Sequence, residues 1–253
     1  MGLKQFSLEN KVAIVTGATR GIGQGIAVGL AEAGADIVGV ATGNMDTTKS
    51  LVESLGRQFL PIQANLVSLE PVEKIVSTTV NHFGRVDILV NNAGIIRRQP
   101  SLDFSVNNWD EVMNINLRSA FFLGQRVAKE FVKQKSRGKI INIVSMLSFQ
   151  GGIFTPSYTA SKSALAGITK TMCNEWAKYN INVNALAPGY IATDNTAPLR
   201  EDENRNKSIL DRIPAGRWGT PDDLKGACVF LASEASNYVH GHILAVDGGW
   251  LAR

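Results

Sequence analysis

Tyr158 and Lys162 stand four residues apart in the run Tyr158-Thr159-Ala160-Ser161-Lys162, which opens a segment of helical periodicity, so both side chains fall on one helix face. A phenol with a pKa of ~10 is a poor general base at neutral pH, but a neighbouring ammonium favours the phenolate and lowers that value. The pair is a candidate acid/base. Ser145 stands just past the apolar run ending Ile143-Val144. A hydroxyl there can hydrogen-bond a carbonyl oxygen that gains charge during reduction. Asn116 places an amide on an otherwise apolar stretch (Ile115, Leu117, Ala120, Phe121). That amide is costly to bury unless paired, which marks either a site or a structural bond.

A second constellation suits a dinucleotide. The run Thr16-Gly17-Ala18-Thr19-Arg20-Gly21-Ile22-Gly23 joins a short apolar segment to a helical one. Glycines at such a junction let the backbone approach a pyrophosphate, and the helix start supplies N–H groups and partial positive charge. The same three glycines could serve only close helix packing. Turn-forming residues follow other apolar runs: Asn65-Leu66, Asn91-Asn92-Ala93-Gly94 and Pro188-Gly189, with Ile191 and Thr193 just beyond. Each alone is an ordinary turn. Together they predict that one ligand is contacted by the ends of several strands.

The elements that must hold these residues are legible as alternation. Val/Ile-rich runs at 11–16, 36–41, 59–64, 86–91, 138–144, 181–187 and 243–247 read as strands. Segments of 3.6-residue period at 22–33, 47–55, 69–83, 107–135, 157–179 and 221–233 read as helices. The pattern predicts an α/β class: one Rossmann-type, doubly wound parallel sheet of about seven strands with helices on both faces, in a single domain over 1–253. The polar stretch 190–214 follows a strand end, where ligands bind in such folds, and is a candidate substrate lid.

Composition narrows the classes further. The chain has 253 residues, 44% hydrophobic and 19% charged, and a formal net charge of +4. Lys and Arg are dispersed, so no nucleic-acid partner is expected. No run approaches the ~20 apolar residues that span a bilayer, so no membrane partner is expected either. The opening residues 1–6 lack the apolar core of a secretory signal, and two cysteines, Cys173 and Cys228, fall in apolar helical patterns. Cytoplasm is the expected compartment. No metal site is expected.

In order and spacing, Thr16 to Gly23, Asn91 to Gly94, Asn116, Ser145, Tyr158, Lys162 and Pro188-Gly189 resemble the short-chain dehydrogenase/reductase family. The resemblance covers nearly the whole chain. It implies a catalytic tetrad of Asn116, Ser145, Tyr158 and Lys162. Tyr158 would exchange the proton with the alcohol or carbonyl oxygen and Ser145 would steady that oxygen. Lys162 would hold the nicotinamide ribose and depress the phenol's pKa, and Asn116 would anchor a water on the proton path. It also implies a homotetramer built through the two long helices and the last strand.

The cofactor signals conflict. NAD preference usually requires an acid at the end of the second strand, and that place reads Val40-Ala41-Thr42-Gly43-Asn44. Arg20 could meet a 2′-phosphate, the mark of NADP. Longer stretches, Ile95 to Arg98, Ser145 to Gly152, Ile213 to Gly219 and Val246 to Arg253, resemble a branch of the family that oxidises a secondary alcohol of six-carbon sugar acids. That branch generally uses NAD(H), so NAD is the expected cofactor with NADP as the alternative. A small sugar-acid substrate would meet Arg97-Arg98 or Arg217-Trp218, either of which could clamp a carboxylate, together with Ser145, Met146, Gln150 and Tyr158. The alternatives are an NADP-dependent enzyme like a 3-oxoacyl-carrier-protein reductase or a gluconate 5-dehydrogenase and, outside the class, a non-catalytic nucleotide sensor.

Overall fold

Seven short segments extend because their Val and Ile side chains are stiff at χ1 and pack well on a pleated surface. The computed structural model describes residues 3–253, so part of the expectation about the chain's opening lies outside the described residues. The strands are β1 (Val12–Thr16), β2 (Asp36–Ala41), β3 (Phe59–Gln63), β4 (Ile88–Asn91), β5 (Gly138–Ile143), β6 (Ile181–Pro188) and β7 (Ile243–Val246). They form one parallel sheet in the order β3-β2-β1-β4-β5-β6-β7. The order reverses between β1 and β4, and ligands in open α/β sheets bind outside the carboxyl ends at that reversal.

Helices α1 (Gly21–Glu32) and α9 (Lys225–Ala232) cover one face. Ala13 and Val15 of β1 pack there against Ile26 and Leu30 of α1 and Leu231 of α9. Val12 and Ile14, the intervening residues, point the other way into a layer formed by α3 (Pro71–Phe83), α5 (Ser119–Gln134) and α6 (Pro156–Trp176). Successive strand residues alternate between faces, yet every residue of β1, β5 and β6 is buried, because both faces are covered. Short α2 (Asp46–Ser54) flanks β2 and β3. The two cysteines are buried and free, and no helix of the described residues is long and apolar enough to cross a membrane.

A polar seam stitches the second layer to the sheet. Asn91 Nδ2 donates to Asn142 Oδ1 (2.9 Å) and to the Ala120 carbonyl (3.1 Å), and Asn142 Nδ2 donates to Thr169 Oγ1 (2.9 Å). Asn91 is thus structural, while its neighbour Asn92 faces the crevice.

Two elements depart from the sequence reading. The expected single helix at 107–135 is α4 (Val106–Met113) and α5 joined by a π-helical turn, Asn114–Arg118. The stretch 190–214, assigned no helix from its periodicity, carries two short ones, α7 (Ala197–Glu201) and α8 (Glu203–Leu210). Asp202, whose side chain accepts from the Arg205 N–H (3.0 Å), caps the second.

Candidate active site

The turn after β1 is forced by its glycines. Gly17 (φ 71°) and Gly21 (φ 57°) adopt left-handed backbone that L-residues rarely enter. A Cβ at Gly23 would collide with the Gly17 carbonyl oxygen and lie 2.5 Å from Asn92 Nδ2. The turn after β4 is tied to this one. Asn92 Nδ2 donates to the Thr16 carbonyl (2.8 Å), and Thr16 Oγ1 accepts from the N–H groups of Asn92 (3.0 Å) and Ala93 (2.9 Å). Behind the turn, Thr48 Oγ1 donates to the Ala18 carbonyl (2.7 Å) and Gln24 Nε2 to the Thr19 carbonyl (3.3 Å). No side chain caps the start of α1, so its first N–H groups remain available to an anion.

These turns form one wall of a cleft of about 1150 Å³. Gly17, Thr19, Arg20, Gly21, Ile22 and Gly23 line it, followed by Asn92, Ala93, Gly94 and Arg97. Pro188, Gly189, Ile191 and Thr193 line the side facing the glycine turn, with Thr193 across from Gly21, where an added Cβ would meet its Cγ2 at 3.4 Å. Ser145, Met146, Gln150, Tyr158 and Lys162 complete the lining. The volume, the Cβ-free cradle and the open helix start fit a nicotinamide dinucleotide with room for a small substrate beside it.

At the inner end, Lys162 Nζ donates to the Ile143 carbonyl (2.6 Å) and lies 5.7 Å from the Tyr158 ring centre. Burial pulls its ammonium down to about 8, because desolvation penalises the charged form. The expectation that this ammonium lowers the phenol is not met. Burial raises Tyr158 above its ordinary value, outweighing the downward pull of a Ser145 hydrogen bond and the Arg98 charge.

Asn116 sits in the π turn, buried to 1% exposure. Its Oδ1 accepts from the Ile95 N–H (2.8 Å), and its Nδ2 donates to the Ile95 carbonyl (2.9 Å) and to Ser161 Oγ (3.2 Å). One amide therefore locks the Gly94-Ile95 turn to α6, one layer beneath the cleft surface. A Cβ at Gly94 would lie 3.2 Å from Asn116 Oδ1 and 3.5 Å from Lys162 Nζ, so glycine lets the backbone pass directly over these two groups. π turns recur at functional sites because the extra residue re-aims a side chain.

Some expected residues are not brought to the cleft wall. Thr42, Asn65 and Leu66 lie at the ends of β2 and β3 beyond it. The Thr42 carbonyl accepts from Gln63 (3.0 Å), Asn65 Oδ1 accepts from the Val67 N–H (3.0 Å), and Leu66 is buried. Arg217 is held elsewhere by a two-pronged pair with Asp223 (2.8 and 2.7 Å) and lines a separate, smaller pocket. Arg97 does line the cleft, but its guanidinium is paired with Glu111 (2.8 Å). Arg20 is paired with Asp194 (3.0 Å) in an exposed bridge. Arg98, the neighbour expected to share the clamp, also lines the cleft, and Tyr190, Arg205, Arg212 and Trp250 line it unforeseen. The polar composition of 190–214 and the C-terminal Trp were the signals available for the last three.

Fold, glycine cradle and inner cluster define an oxidoreductase class, and the chain belongs to the short-chain dehydrogenase/reductase family. The family described as enoyl-(acyl carrier protein) reductase matches residues 17–251. The chain is 60% identical to the 2-dehydro-3-deoxy-D-gluconate 5-dehydrogenase of Dickeya dadantii (strain 3937), and 59% identical to that of Escherichia coli (strain K12), each over 253 residues and all of both chains. Among solved structures, a gluconate 5-dehydrogenase from Burkholderia cenocepacia J2315 in complex with NADP and tartrate superposes with a TM-score of 0.93. It is 39% identical, covering 99% of this chain and 98% of that one. An Agrobacterium tumefaciens structure with bound NADP gives 0.91 at 52% identity, covering 98% and 99%.

Proposed function

We propose that this protein transfers a hydride between a nicotinamide dinucleotide and a secondary alcohol or ketone of a six-carbon deoxy-keto sugar acid. The observation that carries the reading is full-length identity of 60% to an enzyme of that name, joined to a cleft with Ser145, Tyr158 and Lys162 at one end and a glycine cradle at the other. A bound nicotinamide ring supplies or accepts the hydride. The protein's own groups do the rest. Gly17, Thr19, Arg20, Gly21, Ile22 and Gly23 receive the pyrophosphate. Thr42, Asn65 and Leu66 take the adenosine side, and Asn92, Ala93, Gly94, Pro188, Gly189, Ile191 and Thr193 take the nicotinamide side.

Tyr158 gives or takes the proton at the substrate oxygen, and Ser145 donates to that oxygen as it gains charge. A phenol raised by burial stays protonated at neutral pH, which suits it to donate in the reductive direction. Lys162 supplies a buried cation over the Tyr158 ring, and Asn116 fixes the Gly94-Ile95 turn. NAD(H) is the preferred cofactor, with NADP as the alternative that Arg20 and the NADP-bound relatives support. Asp46, the nearest acid to the end of β2, already accepts from Asn44 Nδ2 (2.7 Å). The reading carries a cytoplasmic homotetramer with it. Exposed Trp109, Phe122 and Val132 on α4 and α5 support the assembly.

The test is absorbance at the reduced-nicotinamide band with each cofactor and a panel of sugar acids. Turnover with 2-dehydro-3-deoxy-D-gluconate is expected, falling about 10²- to 10⁴-fold in Tyr158→Phe while dinucleotide affinity holds. Turnover only with acyl thioesters would sink the sugar-acid reading.

A further inference from the structure

Arg212 follows α8 on the cleft wall, and its guanidinium lies 4.0 Å from the centre of the Trp250 ring. Its Nη2 donates to Gln150 Oε1 (3.3 Å), the same oxygen that accepts from Trp250 Nε1 (3.2 Å). Trp250 is 5% exposed and meets the Tyr190 ring edge-on at 4.8 Å. Three segments remote in sequence therefore fix the plane of one guanidinium. Stacking on an aromatic face and a single neutral acceptor orient it without neutralising it.

Among the described residues, Arg98 and Arg205 also line the cleft without a carboxylate partner, but neither is stacked on an aromatic ring; the other arginines at or near the cleft are neutralised. Arg20, Arg97 and Arg217 are each paired with a carboxylate. Asp194, the one acid lining the cleft among the described residues, is the partner of Arg20. Arg98 donates to the Asn195 carbonyl (3.2 Å). Arg212 has no carboxylate partner among the described residues, although a guanidinium offers five N–H donors in a fork that matches a carboxylate. Burial raises the Tyr190 phenol, and the charges of Arg205, Arg212 and Arg98 pull against that rise, so the three cations gather around one ring in the cleft.

We propose that Arg212, stacked on Trp250 and steered by Gln150, is the specificity-determining residue that receives the substrate's carboxylate. The inference rests on the sugar-acid reading and adds to it the residue that recognises the acid end. Gln150 and Trp250 act as positioning residues, limiting the rotamers the arginine must give up when it binds. Charge alone would attract any anion; a fork held in one plane favours a planar carboxylate.

Steady-state kinetics at saturating cofactor test this with the sugar acid that the wild-type enzyme turns over. Arg212→Ala should raise the KM for that acid about 10- to 100-fold, the value of hydrogen bonds to a charged group, with kcat within about 3-fold of wild type. Thermal unfolding and the cofactor's KM should stay as in wild type. Arg212→Lys keeps the charge but not the fork, and Trp250→Leu removes the stacking platform. Both should raise the same KM by a smaller factor. A KM within twofold of wild type in Arg212→Ala overturns the proposal, as does a loss carried by kcat or by the cofactor's KM. A wild-type enzyme that turns over no sugar acid would instead overturn the reading on which it rests.

Discussion

Lys162 is a buried cation whose nearest oxygen partner is a neutral carbonyl. Its ammonium titrates at about 8 in the folded chain against ~10.4 when solvated. The unfolded chain therefore binds more protons between those two values. Folding stability gains with pH across that window, and the cost of the buried charge is present in full below it. Each pKa unit is worth about 1.4 kcal/mol, so the cost at pH 7, net of the Ile143 hydrogen bond, is on the order of 3 kcal/mol. Without cofactor, Lys162→Met should melt higher than wild type at pH 7, and its advantage should shrink between about pH 8 and pH 10.5. A melting-temperature gap that stays flat across that range would show that the ammonium carries no such burden. The same residue illustrates what spacing cannot say. The four-residue interval correctly puts Tyr158 and Lys162 near one another, but only the fold shows that the ammonium turns to a backbone carbonyl.

At the scale of elements, the strands were legible because parallel strands covered on both faces must be unbroken runs of Val, Ile and Ala. The glycine turn was legible because left-handed backbone at Gly17 and Gly21 leaves few residue choices. The π turn at 114–118 carries no Gly or Pro and preserves the apolar stripe on either side, so periodicity reads one helix where there are two. Arg212, Gln150 and Trp250 lie in three segments with no local signal of their meeting. The pairing of Arg97 with Glu111 was equally hidden. The turn and helix geometry separates two glycine substitutions. Gly23→Ala places a methyl against the Gly17 carbonyl and the Asn92 amide, both fixed by hydrogen bonds. It should weaken dinucleotide binding more than about 100-fold or block folding, a close-packing penalty with no flexible neighbour to absorb it. Gly226→Ala, at an exposed position of α9, meets nothing within 4 Å and should stabilise by roughly 1 kcal/mol, a rise of about 2–4 °C in Tm. Dinucleotide titration and thermal melts of the two variants check this, and equal melting temperatures would remove the packing argument.

On the scale of the whole molecule, a net charge of +4 says little, because 26 basic and 22 acidic residues nearly cancel. Their placement says more. The reversal of strand order between β1 and β4 gathers the strand ends, the glycine cradle and the segment 190–214 at one crevice. Arg98, Arg205 and Arg212 line that crevice without carboxylate partners among the described residues, while Arg20, Arg97 and Arg217, at or near it, are neutralised in pairs. A cleft with low-dielectric walls and one sign of unbalanced charge concentrates field and draws an anionic substrate. At saturating cofactor, raising the ionic strength from about 10 mM to about 500 mM shortens the Debye length from ~30 Å to a few ångströms. The kcat/KM for a sugar acid should then fall about 3- to 10-fold. Arg212→Ala should show a shallower salt dependence, since part of the field has been removed. Salt-independent kcat/KM in the wild-type enzyme would mean that the arginines act only at contact, after the acid has reached the cleft by unguided diffusion.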